Sequence, residues 1–587
     1  MLAAPAPLRL GRRALDGISG VEILGPLEFE PTERWWYFPV RLTVEAESEH
    51  VPRVTNWYVL SSEDYPIGRV SMRPAQAGGI HESFRHMERN EPTAQPWRSG
   101  APCLDRPGRW LGSPDLVNQP TSAAELMRWH VERALEWLEA AATNRLTGER
   151  EPFELPKFPG KGPTIGFDED PQRFAVWRTT LGRAGDAYIK RLNDSLLVAY
   201  AFNVRAQHVV PVRWGQRLLN IEKTERAFWM TLRDLPVSAP WNAPSTWGEL
   251  RSIARLQRVD LDGLLQWIYH HMHERNVTSE AYLLLGFPIP EIYDGLPVRM
   301  HWQPLSLPAP IDTSTSKIHV RKGAKTSAGA WSLERAQLLA DDKPISWLQS
   351  EPWAEDRLAV RGSLSQALRD SRVVMLGGGA LGAALAELLV RAGVNNIIIC
   401  DWETFSVENL RRHTLTIEDA EYSKSLSLAM HLNACSPFAD VGWASGFPNS
   451  LGVDRDRVRN AEVVIDCTAS DKVAARLATF DWLDAPRWFF SGSLGVDARR
   501  LFCFRHHGTN FPSEIFFDAV RPYVDEERAL LEQRDPLTMF RAGCWNPIFP
   551  ARWDDIVALA ARMLRIMESD LASGTVRTTL QVVDRAA

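Results

Sequence analysis

The sequence predicts an α/β chain whose C-terminal part is a Rossmann-like nucleotide-binding domain. A β-branched strand at residues 373–376 leads into three glycines at G-x-G-x-x-G spacing: Gly377, Gly379 and Gly382. An Ala/Leu-rich helix then runs to about residue 391, and a second apolar strand at 397–400 stops at Asp401. In such a unit the glycines let the backbone approach a phosphate, and the helix N-terminus supplies N–H donors. Asp401 is placed to accept from a ribose hydroxyl, which argues against a 2′-phosphate.

By itself, the glycine motif is typical of nicotinamide and flavin dehydrogenases. The polar residues after the second strand favour a different family: Asp401, Glu403, Asn409, Arg411, Arg412, His413 and Lys424. Their order resembles the D-x-D…N-L-x-R-Q…K pattern of the ThiF/MoeB and ubiquitin-activating adenylation family. The resemblance continues through residues 463–471 and 489–505. It implies a ThiF-like adenylation domain, with ATP as cofactor.

The chemistry of adenylation suits these residue types. Negative charge develops on the α-phosphorus and on departing pyrophosphate, so the site needs fixed cations and carboxylate-held Mg²⁺. By the resemblance, Arg412 and Lys424 bind the triphosphate and Arg412 acts in catalysis, with Asn409 and Arg411 as further contacts. The family's Mg²⁺-binding Asp lies in a T-D-N sequence after the third strand, and here the candidate is Asp471, two residues further on. A dehydrogenase-like domain with solvated Arg and Lys is the alternative.

Length and composition bound the remaining possibilities. A chain of 587 residues is too long for one hydrophobic core. We expect three domains, at residues 1–150, 151–360 and 361–587. The formal net charge of −6 does not favour a nucleic-acid or anionic membrane partner. No signal sequence or membrane-spanning run is recognisable, which predicts a cytoplasmic protein.

The six cysteines are scattered, without any C-x-x-C pair. Related adenylating enzymes often carry a structural Zn²⁺ held by two such pairs, so that site is not expected here. Four cysteines are interpreted as small buried hydrophobes: Cys400, Cys435, Cys467 and Cys503. Cys103 and Cys544 lie in Gly/Pro-flanked loops, where a thiolate could be exposed.

The N-terminal part, residues 1–150, reads as an α+β domain. Strands are predicted at 21–24, 36–44 and 54–60, followed by a loop with Cys103 and then a helix that a Ser122/Glu125 capping box begins. This order resembles the ubiquitin-conjugating fold, and two segments match its pattern: Tyr65-Pro66 and Cys103-Leu104-Asp105. The resemblance implies that Cys103 carries an acyl group as a thioester.

The H-P-N tripeptide of that family is missing before Cys103. The loop offers four polar residues that could polarise a thioester carbonyl: His81, His86, Asn90 and Gln95. The sequence does not choose among them, and a β-rich interaction domain with an inert Cys is the alternative.

Residues 151–360 are interpreted as a mixed connecting domain without chemistry of its own, entered through a Pro/Gly-rich stretch at 151–162. Its histidine cluster at 270–273 lacks the i, i+4 spacing of H-E-x-x-H, so a solvated helix end is preferred over a metal site. Further along the chain, Cys544 lies after the core adenylation strands and ahead of a helix. In ubiquitin-activating enzymes a Cys in that place takes the adenylated carboxyl as a thioester.

The combination resembles the bacterial fusions of ubiquitin-conjugating and ubiquitin-activating modules found in CBASS anti-phage operons, the Cap-type ancillary ligases. The resemblance implies that ATP activates the C-terminal carboxylate of a partner, which passes to Cys544, to Cys103 and then to a target amine. It also implies a cGAS/DncV-like nucleotidyltransferase as the partner, and a homodimer.

Two alternatives remain open at this point. The same chemistry could serve a bacterial ubiquitin-like modifier. The nucleotide-binding domain could also be a catalytically idle scaffold, which the altered T-D-N and missing H-P-N motifs favour and the retained Arg412, Lys424 and two cysteines disfavour.

Overall fold

The computed structural model describes residues 3–104, 119–148, 150–205, 208–211, 213–311, 327–447, 453–533, 550–574 and 577–585. The chain divides into two compact units. One comprises 1–189, 193–210 and 225–351, and the other comprises 190–192, 211–224 and 352–587. None of the helices within these described ranges has the length and apolar character needed to cross a bilayer.

The N-terminal part of the first unit is an α+β domain, as predicted. Its elements in chain order are α1 (Ala6–Arg13), β1 (Val21–Ile23), β2 (Glu28–Glu30), β3 (Trp35–Thr43), β4 (Val54–Ser62), β5 (Val70–Pro74) and α2 (Ala123–Ala142). The strands form an antiparallel sheet in the order β1-β3-β4-β5, with β2 added to β3. The sequence pattern did not predict the short strands β2 and β5.

Helix α2 begins where the capping box predicts it. The Ser122 hydroxyl accepts from the backbone N–H of Glu125 at 3.3 Å, which satisfies one of the donors that a helix leaves open at its first turn. Apolar residues at helical spacing, among them Met127, Val131 and Leu138, are fully buried with Trp57 of β4 in one core. This packing fixes the helix against the face of the sheet.

The middle of the chain forms a mixed sheet with flanking helices. Its elements are β6 (Thr164–Phe167), α3 (Pro171–Arg178), β7 (Ala184–Asn193), β8 (Leu196–Arg205), β9 (His208–Pro211), α4 (Gln216–Leu219), β10 (Thr224–Thr231), α5 (Trp247–Leu256), α6 (Leu261–Glu274), β11 (Ala281–Ile289), β12 (Arg299–Leu307), α7 (Ser327–Gln337), β13 (Ser346–Trp347) and β14 (Gln349–Pro352). The strand order is β13-β12-β11-β10-β7-β8-β6-β14, with β9 beside β8.

The C-terminal unit contains a doubly wound sheet. Its further elements are α8 (Glu355–Ala359), α9 (Gln366–Arg369), β15 (Val373–Leu376), α10 (Ala380–Arg391), β16 (Asn396–Cys400), α11 (Lys424–Cys435), β17 (Asp440–Ala444), α12 (Val453–Arg459), β18 (Val463–Asp466), α13 (Asp471–Thr479), β19 (Arg487–Leu494), β20 (Arg500–Gly508), α14 (Ser513–Glu532), α15 (Trp553–Ser573) and β21 (Thr579–Asp584).

The seven strands follow the order β17-β16-β15-β18-β19-β20-β21. The first five are parallel and the last two are antiparallel to their neighbours. Helices α10 and α15 pack together on one face over a core that includes Leu385, Leu389 and Met563. The predicted Rossmann-like α/β fold is confirmed. Helix α14 accommodates Pro522 in its interior.

Candidate functional site

The glycine loop lies at the edge of the sheet where the carboxyl ends of β15, β16 and β18 meet, the usual ligand edge of an open α/β sheet. Gly377 has φ +86°, a conformation that favours glycine. Gly379 caps the N-terminus of α10, and a Cβ added there would meet nothing within 4 Å. A Cβ added at Gly382 would lie 2.0 Å from the Gly377 carbonyl oxygen, so the loop and the first turn of α10 pack backbone against backbone.

Gly378 lies between two of the motif glycines, and both its N–H and its carbonyl are hydrogen-bonded to side chains. Its N–H donates to Asp401 Oδ2 at 2.8 Å, and its carbonyl accepts from His413 Nε2 at 2.6 Å. The second ring nitrogen of His413 accepts from the backbone N–H of Leu415 at 3.1 Å, so this imidazole is neutral with its proton on Nε2. Burial lowers the pKa of His413 to about 4.

Asp401 is buried and serves two backbone donors, since its other oxygen accepts from the N–H of Glu403 at 2.7 Å. Burial raises its pKa, while these donors and the charge of Lys424 act in the opposite direction. Each carboxylate oxygen keeps a second lone pair. The acid therefore positions the loop and can still accept a hydrogen bond from a ligand.

Lys424 is the first residue of α11 and only 4% exposed. Its backbone N–H donates to the Glu403 carbonyl at 2.9 Å, and its ammonium group donates to the Glu403 carboxylate. The neighbouring Ser425 hydroxyl donates to the Asp401 carbonyl at 3.1 Å. These bonds bring the start of α11 to the end of β16, and a buried cation stands beside the glycine loop.

Asn409, Arg411 and Arg412 share one short 3₁₀ helix, Val407–Arg412. The Asn409 side chain closes a capping box, in which its Oδ1 accepts from the Ser406 N–H at 3.2 Å. Arg411 is exposed and Arg412 is half-buried. The structure therefore gives Asn409 a local role in holding this helix that the sequence pattern did not predict.

Asp471 begins α13 and is exposed. Asp466, at the end of β18, is buried, and its two oxygens accept from Thr468 and, at 3.1 Å, from Ser491. Burial raises the pKa of Asp466. Between them, Ala469 has φ +51° and turns the chain into the helix.

Both acids line a cavity of about 480 Å³. Its other walls come from the end of β19, from β20 and from α14, and they are largely apolar: Leu494, Phe502, Phe516, Val520, Val524 and Leu531. Pro550, the first described residue after the stretch 534–549, also lines it. Cys544 falls in that stretch, outside the residues that the structure describes.

Cys103 is exposed, next to the buried Leu104. Its backbone N–H donates to the His86 carbonyl at 2.7 Å, and Met87 forms a bridge with Pro102. The Cys103 segment therefore runs antiparallel to residues 86–88. Asp105, the third residue of the matched segment, lies outside the described residues.

The four candidate residues before Cys103 are now distinguishable. Asn90 is buried and committed to structure, since its amide donates to the carbonyls of Ile80 and Glu82 at 2.9 and 3.0 Å. His86 adjoins Cys103 through the backbone bond, while its imidazole nitrogens lie 3.0 and 3.3 Å from Glu151 and Glu154.

His81 and Gln95 each form hydrogen bonds within the N-terminal part. The His81 carbonyl accepts from Arg98 at 3.3 Å, and the Gln95 carbonyl accepts from Gln76 at 3.3 Å. Neither bond leads to Cys103. Of the four, His86 is therefore the residue that the described contacts connect to the cysteine segment.

Two structural roles were missed from the sequence. His413 stands where the family pattern has Gln, and that substitution was the only signal of its bond to Gly378. Cys435 was interpreted as a small buried hydrophobe, which is wrong. It is only half-buried against the apolar core, and its Sγ lies 3.7 Å from His431 Nε2, one turn earlier on α11.

Comparisons with known proteins agree with this architecture. Residues 144–353 match the Cap2 central linker domain and residues 355–525 match the ThiF family. The chain is 31% identical over 543 residues to the ATP-dependent ubiquitin transferase-like protein Cap2 of Enterobacter hormaechei, covering 90% of this chain and 88% of that protein. The chain belongs to the Cap2 family.

More distant relatives of this Cap2-family chain match only part of it. The sulfur carrier protein ThiS adenylyltransferase of Bacillus subtilis is 33% identical over 119 residues, which cover 19% of this chain and 34% of that enzyme. Among solved structures, Escherichia coli MccB with ATP matches with a TM-score of 0.26 and 12% identity, covering 39% of this chain and 66% of MccB.

The packing of the glycine loop predicts a large loss of stability for one glycine substitution and a small change for another. Gly382→Ala should destabilise the C-terminal unit by about 2 kcal/mol or more, because the new methyl group overlaps the Gly377 carbonyl. Gly379→Ala should stay within about 1 kcal/mol of the parent protein, because its methyl group faces open space. Urea unfolding of both variants measures the difference, and equal losses would contradict the packing described here.

The buried His413 predicts a pH-dependent loss of stability. Its pKa is about 4 in the folded chain against 6.5 ordinarily, so the unfolded chain binds the proton more tightly and stability falls as the pH drops from about 6.5 to about 4. His413→Gln cannot titrate but keeps a donor for Gly378, so it should remove up to roughly 3 kcal/mol of that loss.

Urea unfolding at several pH values between 4 and 7.5 measures this effect. His507→Gln, which replaces an exposed histidine of the same unit, is the control. Parallel pH profiles for the parent and His413→Gln would refute the assignment.

Proposed function

We propose that this chain uses Mg²⁺-ATP to adenylate the C-terminal carboxylate of a partner protein and conjugates that protein to an amine. The carboxylate oxygen attacks the α-phosphorus and pyrophosphate leaves. The Cys544 thiolate then attacks the acyl carbon and releases AMP, and the Cys103 thiolate displaces Cys544. Attack by the target amine finally forms an amide and frees Cys103.

The observation that carries the proposal is the placement of Lys424. The buried ammonium group acts on Asp401, whose carboxylate accepts from the Gly378 N–H, and so adds positive charge at the carboxyl edge of the sheet. A triphosphate is the ligand that this charge and the N-terminus of α10 favour together. Its partner Glu403 is exposed, so a phosphate can replace that carboxylate without stranding a buried charge. Arg412, half-buried at the end of the 3₁₀ helix, adds a second cation for the departing pyrophosphate.

The Mg²⁺ ligand in this proposal is Asp471. Because it is exposed at the first turn of α13 and lines the same cavity as Asp466, its carboxylate can take a hydrated Mg²⁺ without the cost of burial. The hydrogen bonds of Asp466 to Thr468 and Ser491 suit a residue that shapes the loop instead.

The cavity fits the tail of a partner protein. An extended C-terminus could lie along its apolar wall with the terminal carboxylate near Asp466 and Asp471. Cys544 is the proposed first acyl acceptor. Cys103, exposed in a segment registered against residues 86–88, suits the second.

The partner is proposed to be a cGAS/DncV-like nucleotidyltransferase, with a ubiquitin-like modifier as the second candidate. Relatives named ubiquitin transferase-like support the conjugation step, and the ThiS adenylyltransferase relative supports the adenylation step. We further propose that the protein works as a homodimer in the cytoplasm.

Pyrophosphate exchange tests the adenylation step. With a cGAS/DncV-like partner protein present, Lys424→Ala and Arg412→Ala should each lower the rate of exchange by on the order of 10²-fold, because each removes a cation that stabilises the transferring phosphate. Lys343→Ala, which removes an exposed lysine of the middle part, is the control and should not change exchange. Full exchange in Lys424→Ala would refute the role of this lysine.

Gel electrophoresis with and without thiol reductant tests the two transfers. Cys544→Ser should keep pyrophosphate exchange but lose every reductant-sensitive adduct. Cys103→Ser should keep the first thioester and lose the reductant-resistant conjugate. If ATP binds but no adduct of either kind forms with either class of partner, the idle scaffold is the better explanation.

A further inference from the structure

A second polar cluster lies between helices α10 and α11. It consists of Glu387 on α10 together with His431 and Cys435 one turn apart on α11, and all three residues are half-buried. Their ligand atoms lie within 4.8 Å of one another. We propose that these three side chains bind a Zn²⁺ ion.

The two distances from His431 match those between ligands of a tetrahedral zinc centre. His431 Nε2 lies 3.3 Å from Glu387 Oε2 and 3.7 Å from Cys435 Sγ. Zinc bonds of about 2.0–2.3 Å at the tetrahedral angle place a nitrogen about 3.4 Å from an oxygen ligand and about 3.6 Å from a sulfur ligand. The side chains therefore need little rearrangement to take the ion.

The arrangement does not suit a proton relay. In a Cys-His-carboxylate triad the cysteine and the acid contact opposite nitrogens of the ring. Here Glu387 and Cys435 both approach Nε2, and so does the Thr414 hydroxyl at 3.3 Å. The three polar atoms therefore gather on one side of the ring, where Glu387, His431 and Cys435 can share an ion.

The surroundings supply supporting contacts and the right charge. Arg391 Nε donates to Glu387 Oε1 at 2.8 Å, which orients the carboxylate with Oε2 toward His431, and the Thr414 hydroxyl donates to that Oε2. Bonds of this kind orient ligands in known metal sites. Binding releases the Cys435 proton, so the thiolate and the carboxylate together balance the charge of Zn²⁺.

The site connects the two helices that carry the nucleotide-loop residues. Gly379 caps α10 and Lys424 begins α11, so an ion held by both helices would fix the separation of these two N-termini. It would do so without touching a nucleotide. Zinc would therefore act on the architecture of this unit, by ligands that differ from paired C-x-x-C motifs.

Metal analysis of the purified, untagged full-length chain tests the proposal. After incubation with ZnCl₂ and gel filtration, the parent protein should retain about one Zn²⁺ per chain, and Cys435→Ser should retain about one-tenth of that. Cys103→Ser, which removes an exposed thiol elsewhere, should retain the parental amount and so rules out adventitious binding at free thiols. Substitution with Co²⁺ should give a thiolate-to-cobalt charge-transfer absorption that only Cys435→Ser loses.

Glu387→Gln provides a second variant in case Cys435→Ser does not fold, as circular dichroism would reveal. It keeps both other ligands and should weaken Zn²⁺ binding about tenfold or more. Retention of one Zn²⁺ with undiminished affinity in both variants would overturn the proposal. Absence of Zn²⁺ and of the cobalt band from the parent protein would do the same.

Discussion

The site depends above all on the peptide backbone of Gly378. Asp401 accepts its N–H and His413 donates to its carbonyl, so one glycine is fixed by residues that lie 23 and 35 positions later in the chain. The same Asp401 accepts from the backbone N–H of Glu403 at 2.7 Å, and Glu403 in turn accepts from the backbone N–H of Lys424. Loop, strand end and helix start are thereby joined in one hydrogen-bonded network. Such networks are rigid because an unmade bond in them is costly.

Local sequence signals account for the part of this arrangement that could be predicted. The glycine spacing, the β-branched run and the acid at the strand end concern neighbouring residues, and the structure places β15, α10 and β16 within a residue or two of the expected bounds. His413 could not be predicted in the same way, because its bond to Gly378 exists only once the chain has folded back. Cys435 was misjudged in part for a similar reason: its neighbour His431 lies on the same helix, but Glu387 of the same polar cluster comes from α10.

In the N-terminal part, too, the sequence predicted local features but not contacts between distant residues. The capping box and the apolar period of α2 predicted that helix well, because both are properties of one contiguous segment. The sequence could not choose among four polar residues before Cys103. In the structure the Asn90 side chain is committed to the backbone of its own loop, and the His86 carbonyl accepts from the Cys103 N–H.

The middle of the chain contributes to both compact units. Residues 211–224 leave the first unit and belong to the second, where the Gly215 N–H donates to the Pro437 carbonyl at 2.8 Å and Trp214 stacks on Phe438. The chain then returns to the first unit and leaves it again after residue 351. Each unit is thus formed from separate stretches of the chain, and the stretches of the two units alternate along the sequence. A protein cut after residue 351 would not yield two complete pieces: the first would carry a segment deprived of its packing partners, and the second would lack part of its own fold.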